Sequence, residues 1–212
     1  MKGLIGKKLG MTQIFEPSGR RVSVTALQAG PCTVTCLRTQ ERDGYSAIQL
    51  GFGRRSLRKT TKPVAGQLQA AGLAENPPLR LREVRLSEDA AVAVGETLAA
   101  DIFAEGEYVD VSGRTKGRGF QGVVRRYRFG GGRASHGGAW LRKPGSIGMC
   151  VNPGKIYKGR KMPGRMGGVK RTCQNLRVVG VRPQDNVILV EGAVPGPSGG
   201  LVMIREAVKK GN

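Results

Sequence analysis

One stretch of this chain constrains its fold more than any other feature: no acidic residue occurs between Asp110 and Asp185. These 74 positions carry 18 of the 36 Lys and Arg residues, so the stretch holds +18 of the formal net charge of +21. The other 138 residues, with 18 basic and 15 acidic side chains, hold only +3. Charge of one sign concentrated in this way predicts a polyanionic partner.

The acid-free stretch is also a poor candidate for a packed core. It holds 17 of the 34 glycines and five of the ten aromatic residues: Phe120, Tyr127, Phe129, Trp140 and Tyr157. Charge runs are often solvated faces or disordered tails. This one is interior to the chain and is punctuated by Pro144, Pro153 and Pro163 rather than being of low complexity. It therefore predicts a shaped arm that folds against a densely packed RNA.

The rest of the chain predicts one β-rich body into which this arm is inserted. Segments rich in Val, Ile, Thr and aromatic residues predict strands at 11–15, 21–29, 32–39, 45–52, 79–86, 97–103, 108–111, 176–181, 187–190 and 201–205. A basic patch (Arg54, Arg55, Arg58, Lys59 and Lys62) precedes a predicted short helix at 64–74. Many short strands favour an all-β barrel or sandwich, completed by the strands that follow the arm.

Composition excludes several other classes of protein. No apolar run approaches the roughly 18 residues of a membrane span, and the N-terminus lacks the apolar core of a signal peptide, so we expect a cytosolic protein. Basic residues are not laid out beside an amphipathic apolar stripe, which disfavours a membrane-surface protein. The four cysteines, Cys32, Cys36, Cys150 and Cys173, do not resemble a disulfide framework, so reduced thiols are expected.

A glycine motif in the arm resembles a nucleotide-binding loop. Residues 117–122, G-R-G-F-Q-G, match G-x-G-x-x-G. A dinucleotide site needs an acidic residue about 20 positions further on, and a kinase needs Asp to hold magnesium, yet no acid precedes Asp185. We therefore interpret these glycines as positions that let a cationic backbone approach phosphates closely.

Catalytic and metal-binding residues are sparse. His136 is the only histidine and has no carboxylate nearby in sequence to orient it, so we expect it to contact nucleic acid rather than to act as a base. Cys32 and Cys36 are four apart in a predicted strand, where both would face one side, and Cys150 and Cys173 lie far off. The sequence predicts no catalytic site, metal site, cofactor or small-molecule substrate.

Several motifs together resemble one family. The run from Phe103 to Arg126, F-x6-D-V-S-G-R-T-K-G-R-G-F-Q-G-x3-R, looks like the signature of the large-subunit ribosomal protein L-three family. Similarity to the bacterial form extends to the opening G-L-I-G-K-K-L-G-M-T of residues 3–12 and to the segments 144–148, 153–155, 158–167 and 190–196. The resemblance therefore spans essentially the whole chain.

The resemblance implies a fold and a function. The expected fold is mainly β: a Greek-key β-barrel of the translation-factor type, at 1–112 and 175–212, with a small α/β insertion at about 56–96. A long basic glycine-rich extension at 113–174 would penetrate 23S rRNA towards the peptidyl transferase centre. The family is not enzymatic, assembles early near the 3′ domain of that RNA, and neighbours other large-subunit proteins. The expected location is the large ribosomal subunit in the cytoplasm.

Residue types in the arm divide into three predicted roles: cations contact phosphates, glycines permit close approach, and aromatic rings stack on bases. For any single aromatic residue, a place in a small packing cluster within the arm is an equally open alternative. The predicted RNA-binding residues are Lys116, Gly117, Arg118, Gly119, Gly122, Arg125, Arg126, Arg128, Arg133, His136, Trp140, Arg142, Lys143, Lys155, Tyr157, Lys158, Arg160, Lys161 and Arg165.

By the same resemblance, one loop of the arm forms the tip closest to the catalytic RNA: Gly145, Ser146, Ile147, Gly148, Met149, Cys150, Val151, Asn152 and Pro153. Some bacterial relatives carry a methylated Gln in this loop. Here Met149 to Asn152 follow Gly148 and no Gln is present, so we do not expect that modification.

Two other classes share part of this pattern. A free-standing nucleic-acid chaperone would carry the same charge but would bind many RNAs or DNAs alike. An enzyme acting on RNA would need a base or metal that the arm lacks. Neither accounts for the resemblance along the whole chain.

Overall fold

The computed structural model describes residues 2–87 and 92–210. Its strands are β1 Gly3–Phe15, β2 Arg21–Ala29, β3 Cys32–Arg38, β4 Ala47–Phe52, β5 Arg80–Arg85, β6 Thr97–Leu98, β7 Tyr108–Arg114, β8 Phe120–Gln121, β9 Gly164–Arg165, β10 Lys170–Arg182, β11 Val187–Glu191 and β12 Leu201–Glu206. Its helices are α1 Gln40–Asp43, α2 Lys62–Ala70 and α3 Val123–Tyr127, with 3-10 turns at Leu57–Lys59 and Ala100–Ile102. The protein is therefore mainly β, as predicted.

The chain divides into two compact units. The first, here called the body, comprises the described residues up to Arg114 and from Lys170 onward. The second, here called the basic unit, is Thr115–Val169. Arg114 and Lys170 pair across β7 and β10, so the two ends of the body's chain meet in one antiparallel ladder.

A closed six-stranded barrel forms the larger part of the body. Its strand order is β1, β12, β7, β10, β11 and β2, and the pairing of β2 with β1 closes it. All six pairings are antiparallel, and closure leaves no sheet edge exposed to another chain. Alternating apolar residues fill the interior, among them Leu4, Leu27, Val111, Ile188 and Ile204, all fully buried.

A second sheet, in the order β5, β4, β3 and β6, also belongs to the body. Helix α2 is linked to it by a hydrogen bond from Gln67 Nε2 to Gln49 Oε1 (2.7 Å), and Thr35 Oγ1 donates to the same Gln49 oxygen (2.8 Å). Leu68, the buried residue of α2, is 1% exposed. Burial of Leu68 and the amide hydrogen bond to Gln49 therefore both attach this short helix to the body.

Several predicted element boundaries were wrong. Strand β1 begins at Gly3 rather than at residue 11. Its early part was missed because glycines weaken a strand signal. At Gly6 the structure needs glycine, since a Cβ there would collide with the Gln28 carbonyl. Strand β10 begins six residues earlier than predicted, at Lys170. The predicted strand 97–103 consists of β6 and a 3-10 turn. Helix α2 begins earlier, at Lys62, because a proline is compatible with a first helical turn.

The two cysteines of β3 do not share a face in the way predicted. The register of β3 against β4 shifts between Val34 and Cys36, and such a bulge reverses the alternation of side chains beyond it. Cys32 is fully buried, whereas Cys36 is half-buried.

Candidate nucleic-acid interface

The basic unit concentrates positive charge without any counter-charge. Its 55 residues hold 13 Lys and Arg and no Asp or Glu, so no cation in it has a carboxylate partner within the unit. These thirteen are the cations predicted to bind RNA: Lys116, Arg118, Arg125, Arg126, Arg128, Arg133, Arg142, Lys143, Lys155, Lys158, Arg160, Lys161 and Arg165. All except Arg126, which is half-buried, are exposed. The unit is therefore a continuous source of unneutralised charge.

Backbone hydrogen bonds, rather than a core, hold the basic unit together. Strand β8 pairs with β9, and Arg118 N donates to Met166 O while Met166 N donates to Gly119 O, each at 2.9 Å. Thr115 N donates to Val169 O at the same distance. Val123 is the one fully buried residue in the unit, all of which the structure describes. The unit has too few apolar residues for a core, and backbone hydrogen bonds join the residues near its start to those near its end instead.

Arg126 is both a predicted phosphate contact and a structural residue. Its Nη1 donates to the Met162 carbonyl (2.7 Å), and its guanidinium carbon lies 5.0 Å from the centre of the Tyr127 ring. Lys161 Nζ lies 5.8 Å from the same ring. A Cβ at Gly164 would meet the Arg126 guanidinium, so a larger residue there would displace this side chain. Sequence analysis missed Tyr127 as part of this cationic cluster, although two adjacent arginines precede it.

The three predicted glycines face open space. A Cβ built at Gly117, Gly119 or Gly122 meets no described atom within 4 Å. Gly119 has a φ of +65°, which itself favours glycine. Gly117 and Gly122 have no positive φ and no close neighbour, so nothing in the described part of the protein requires glycine at either position. Their bare backbone leaves room for another molecule to approach.

The predicted stacking residues are exposed. Trp140 is 57% and Tyr157 62% exposed, and His136 is exposed with a φ of +56°. Lys143 Nζ lies 5.4 Å from the centre of the Trp140 ring, so a charge already accompanies that aromatic face. Every residue from 131 to 152 is exposed. Rings and charges in this range are therefore available to bases and phosphates.

The predicted tip loop, residues 145–153, curls around a shallow cavity of about 500 Å³. Ser146 Oγ donates to the Gly148 carbonyl (2.9 Å), and Arg160 donates to the Ser146 carbonyl. Met149 and Val151 are 74% and 86% exposed. The loop therefore exposes two apolar side chains to solvent.

No group of three or more His, Cys, Asp or Glu in the described ranges could hold a metal ion. No helix in the same ranges is long and apolar enough to cross a membrane. Cys32 donates to the Ile5 carbonyl (3.3 Å), and burial raises the pKa of its thiol to about 11. That thiol is therefore protonated at neutral pH, whereas nucleophilic attack and metal binding use the thiolate.

Comparison with known proteins decides the family. The large ribosomal subunit protein uL3 of Thermobifida fusca is 52% identical over 212 residues, which cover all of this chain and 97% of that protein. The chain belongs to the ribosomal protein L3 family. Acidothermus cellulolyticus uL3 is 51% identical over 99% of this chain and 94% of its own length, and Geobacter sulfurreducens uL3 is 48% identical over 98% of each.

A model of the ribosomal protein L3 family matches residues 82–187. This range includes β7, the whole basic unit and β10. The family resemblance seen in the motifs is therefore confirmed, both over the segment that carries the charge and over nearly the whole length of the L3 relatives.

Proposed function

We propose that this protein is a structural component of the large ribosomal subunit and that it binds 23S rRNA directly through the basic unit. The observation that carries the proposal is the set of 13 cations without a carboxylate in their unit, 12 of them exposed, in a chain of the L3 family. Unneutralised Lys and Arg bind RNA phosphates by releasing counterions. Three relatives are themselves named large ribosomal subunit proteins.

Each residue type in the unit has a distinct role in this proposal. The cations neutralise phosphates, while Gly117, Gly119 and Gly122 let the RNA backbone approach the protein backbone. His136, Trp140 and Tyr157 stack on unpaired bases. Specificity comes from the shape of the folded RNA.

The finer part of the proposal concerns architecture and position. The body is a Greek-key barrel of the translation-factor type with a small α/β insertion at about 56–96, and residues 113–174 form a long basic glycine-rich extension into the RNA. The loop 145–153 is the tip nearest the peptidyl transferase centre. The crossing order of the barrel strands, in which β7 lies between β12 and β10, supports the first of these statements.

In this proposal the protein is not an enzyme. It joins the 23S rRNA early in assembly, near the 3′ domain, and neighbours other large-subunit proteins in the cytoplasm. The buried, protonated thiol of Cys32 and the absence of a carboxylate in the basic unit agree with a role in binding rather than in catalysis.

Sedimentation tests the proposal. A cell lysate is run on a gradient after a high-salt wash, and mass spectrometry measures the ratio of this chain to other large-subunit proteins. We expect stoichiometric retention in the large subunit. Loss on washing, or a distribution over many RNAs, would instead support a free-standing RNA chaperone, which is the second candidate because it would carry the same charge.

A further inference from the structure

A second run of cations without acids lies in the body, outside the interface described above. No acidic residue occurs between Asp43 and Glu75, and the cations of this run follow strand β4: Arg54, Arg55, Arg58, Lys59 and Lys62. All five are exposed. No carboxylate in the described ranges lies within ion-pair distance of any of them. The run therefore has the same electrostatic character as the basic unit.

This run begins at a cavity of about 540 Å³ in the body. Polar and charged side chains line part of it: Lys7, Gln28, Thr33, Arg54 and Asn76. Apolar residues line the rest: Phe52, Leu73, Pro78 and Leu79, with Pro31 and the glycines 30, 51 and 53. A volume in the range of roughly 300–1,000 Å³, mostly apolar walls and a few polar groups are typical of sites for small organic groups.

The walls of the cavity are fixed by the backbone. Arg55 N donates to Pro77 O (2.8 Å), and Leu79 N donates to Gly53 O (3.3 Å). A Cβ at Gly51 would lie 2.8 Å from the Pro78 ring, so the two walls approach as closely as glycine allows. The cavity is therefore formed before any ligand binds.

We propose that this surface is a second RNA-binding site, which takes an unpaired stretch of RNA. Its phosphates lie along Arg54 to Lys62, and one nucleotide enters the cavity. The amides of Gln28 and Asn76 offer both donors and acceptors to a base edge, and Lys7 offers a charge to a phosphate. The apolar wall accommodates the face of a base. This inference rests on the proposed function in one respect only, namely that the partner is RNA.

Charge reversal with a matched control tests the site. The full chain carrying Arg54→Glu and Arg58→Glu is compared with one carrying Arg182→Glu and Lys209→Glu, which changes the net charge equally at exposed body positions. Binding to transcribed 23S rRNA is measured over a range of salt concentrations. Loss of two phosphate contacts makes the slope of log affinity against log salt shallower by about 1.4 to 1.8.

We expect that change in the first variant and not in the control. Equal losses in both would overturn the proposal, because net charge alone would explain them. Thermal unfolding of both variants verifies that the body is intact. If the wild type binds an unrelated transcript as tightly as 23S rRNA, the proposed function fails, yet the difference between the variants still decides this site.

Cross-linking tests the cavity separately. The full chain is irradiated with 23S rRNA transcribed with 4-thiouridine, and cross-linked peptides are identified by mass spectrometry. We expect cross-links within 51–54 or 73–79 in addition to those in the basic unit. Cross-links confined to residues 115–169 would overturn the placement of a nucleotide in the cavity.

Discussion

The salt dependence of RNA binding gives the sharpest test of the basic unit. Four of its thirteen cations are engaged within the unit: Arg126 and Arg160 donate to carbonyl groups, and Lys143 and Lys161 lie over aromatic rings. Nine remain. If these nine contact phosphates, they contribute about −6 to −8 to the slope of log affinity for 23S rRNA against log salt. Between 50 and 200 mM salt, their contacts alone then lower the affinity by about four to five orders of magnitude.

Removing three of these nine cations should change the slope of log affinity against log salt by a measurable amount. Lys155→Ala, Lys158→Ala and Arg165→Ala delete exposed side chains for which the structure describes no hydrogen bond or ion pair, so the fold of the unit is preserved. The contribution of the basic unit to the slope becomes about −4 to −5, and the loss of affinity that it causes over the same salt range shrinks to about three orders of magnitude. Filter binding or fluorescence anisotropy with transcribed 23S rRNA measures both slopes.

The control for this experiment removes the same charge from exposed positions of the body, by Arg21→Ala, Arg182→Ala and Lys209→Ala. Its slope is expected to match that of the wild type. An unchanged slope in the first triple variant would refute the assignment of these three residues to phosphates. An equal change in the control would refute the placement of the interface on the basic unit.

Three further outcomes are expected. Replacing Thr115–Val169 by Asn-Gly joins Arg114 to Lys170, which already face each other in a ladder, as a two-residue hairpin. Circular dichroism and thermal unfolding should show a folded body, and its affinity for 23S rRNA should be much lower than that of the full chain because only the body site remains. An unfolded product would contradict the division into units. Ile204→Ala, at a fully buried barrel position, should lower the free energy of unfolding in urea by about 2–5 kcal/mol, and a smaller loss would mean that the barrel interior collapses around the gap. The thiol of Cys32 loses its proton near pH 9 when the protein is unfolded and near pH 11 when it is folded. Its contribution to the free energy of unfolding, at most about 3 kcal/mol, is therefore fully present below pH 9 and is lost as the pH rises through 11. The difference in free energy of unfolding between the wild type and Cys32→Ala should therefore become smaller between pH 9 and pH 11. A difference that stays constant would contradict burial of the thiol.

The chemistry of the interface was more predictable from sequence than its geometry. A segment without Asp or Glu cannot neutralise its own charge, so exposure of its cations follows from composition alone. The motifs also identified the family correctly. The contact of Arg126 with the Met162 carbonyl joins residues 36 positions apart and depends on a turn that no local pattern predicts.

The fold was predictable in class but not in pairing. Alternating apolar residues predicted most of the strands. They favoured a barrel or a sandwich, and the structure contains a closed barrel. The partners of β7 lie at β10 and β12, across an insertion of 55 residues, and strand propensity carries no information about such distant pairs. The early start of β1 was missed because Gly3, Gly6 and Gly10 weaken its strand signal, although two of them lie where a Cβ has no space.

The unbroken exposure of residues 131–152 bears on how long the protein survives before assembly. Proteases cleave most readily where the chain is accessible and little burial opposes its entry into their active sites. In this segment, no side chain is buried, and Arg133 and Arg142 supply sites for trypsin-like enzymes. If RNA covers these residues as proposed, free protein is most vulnerable at the surface that binding protects, and its lifetime should lengthen as more RNA is supplied.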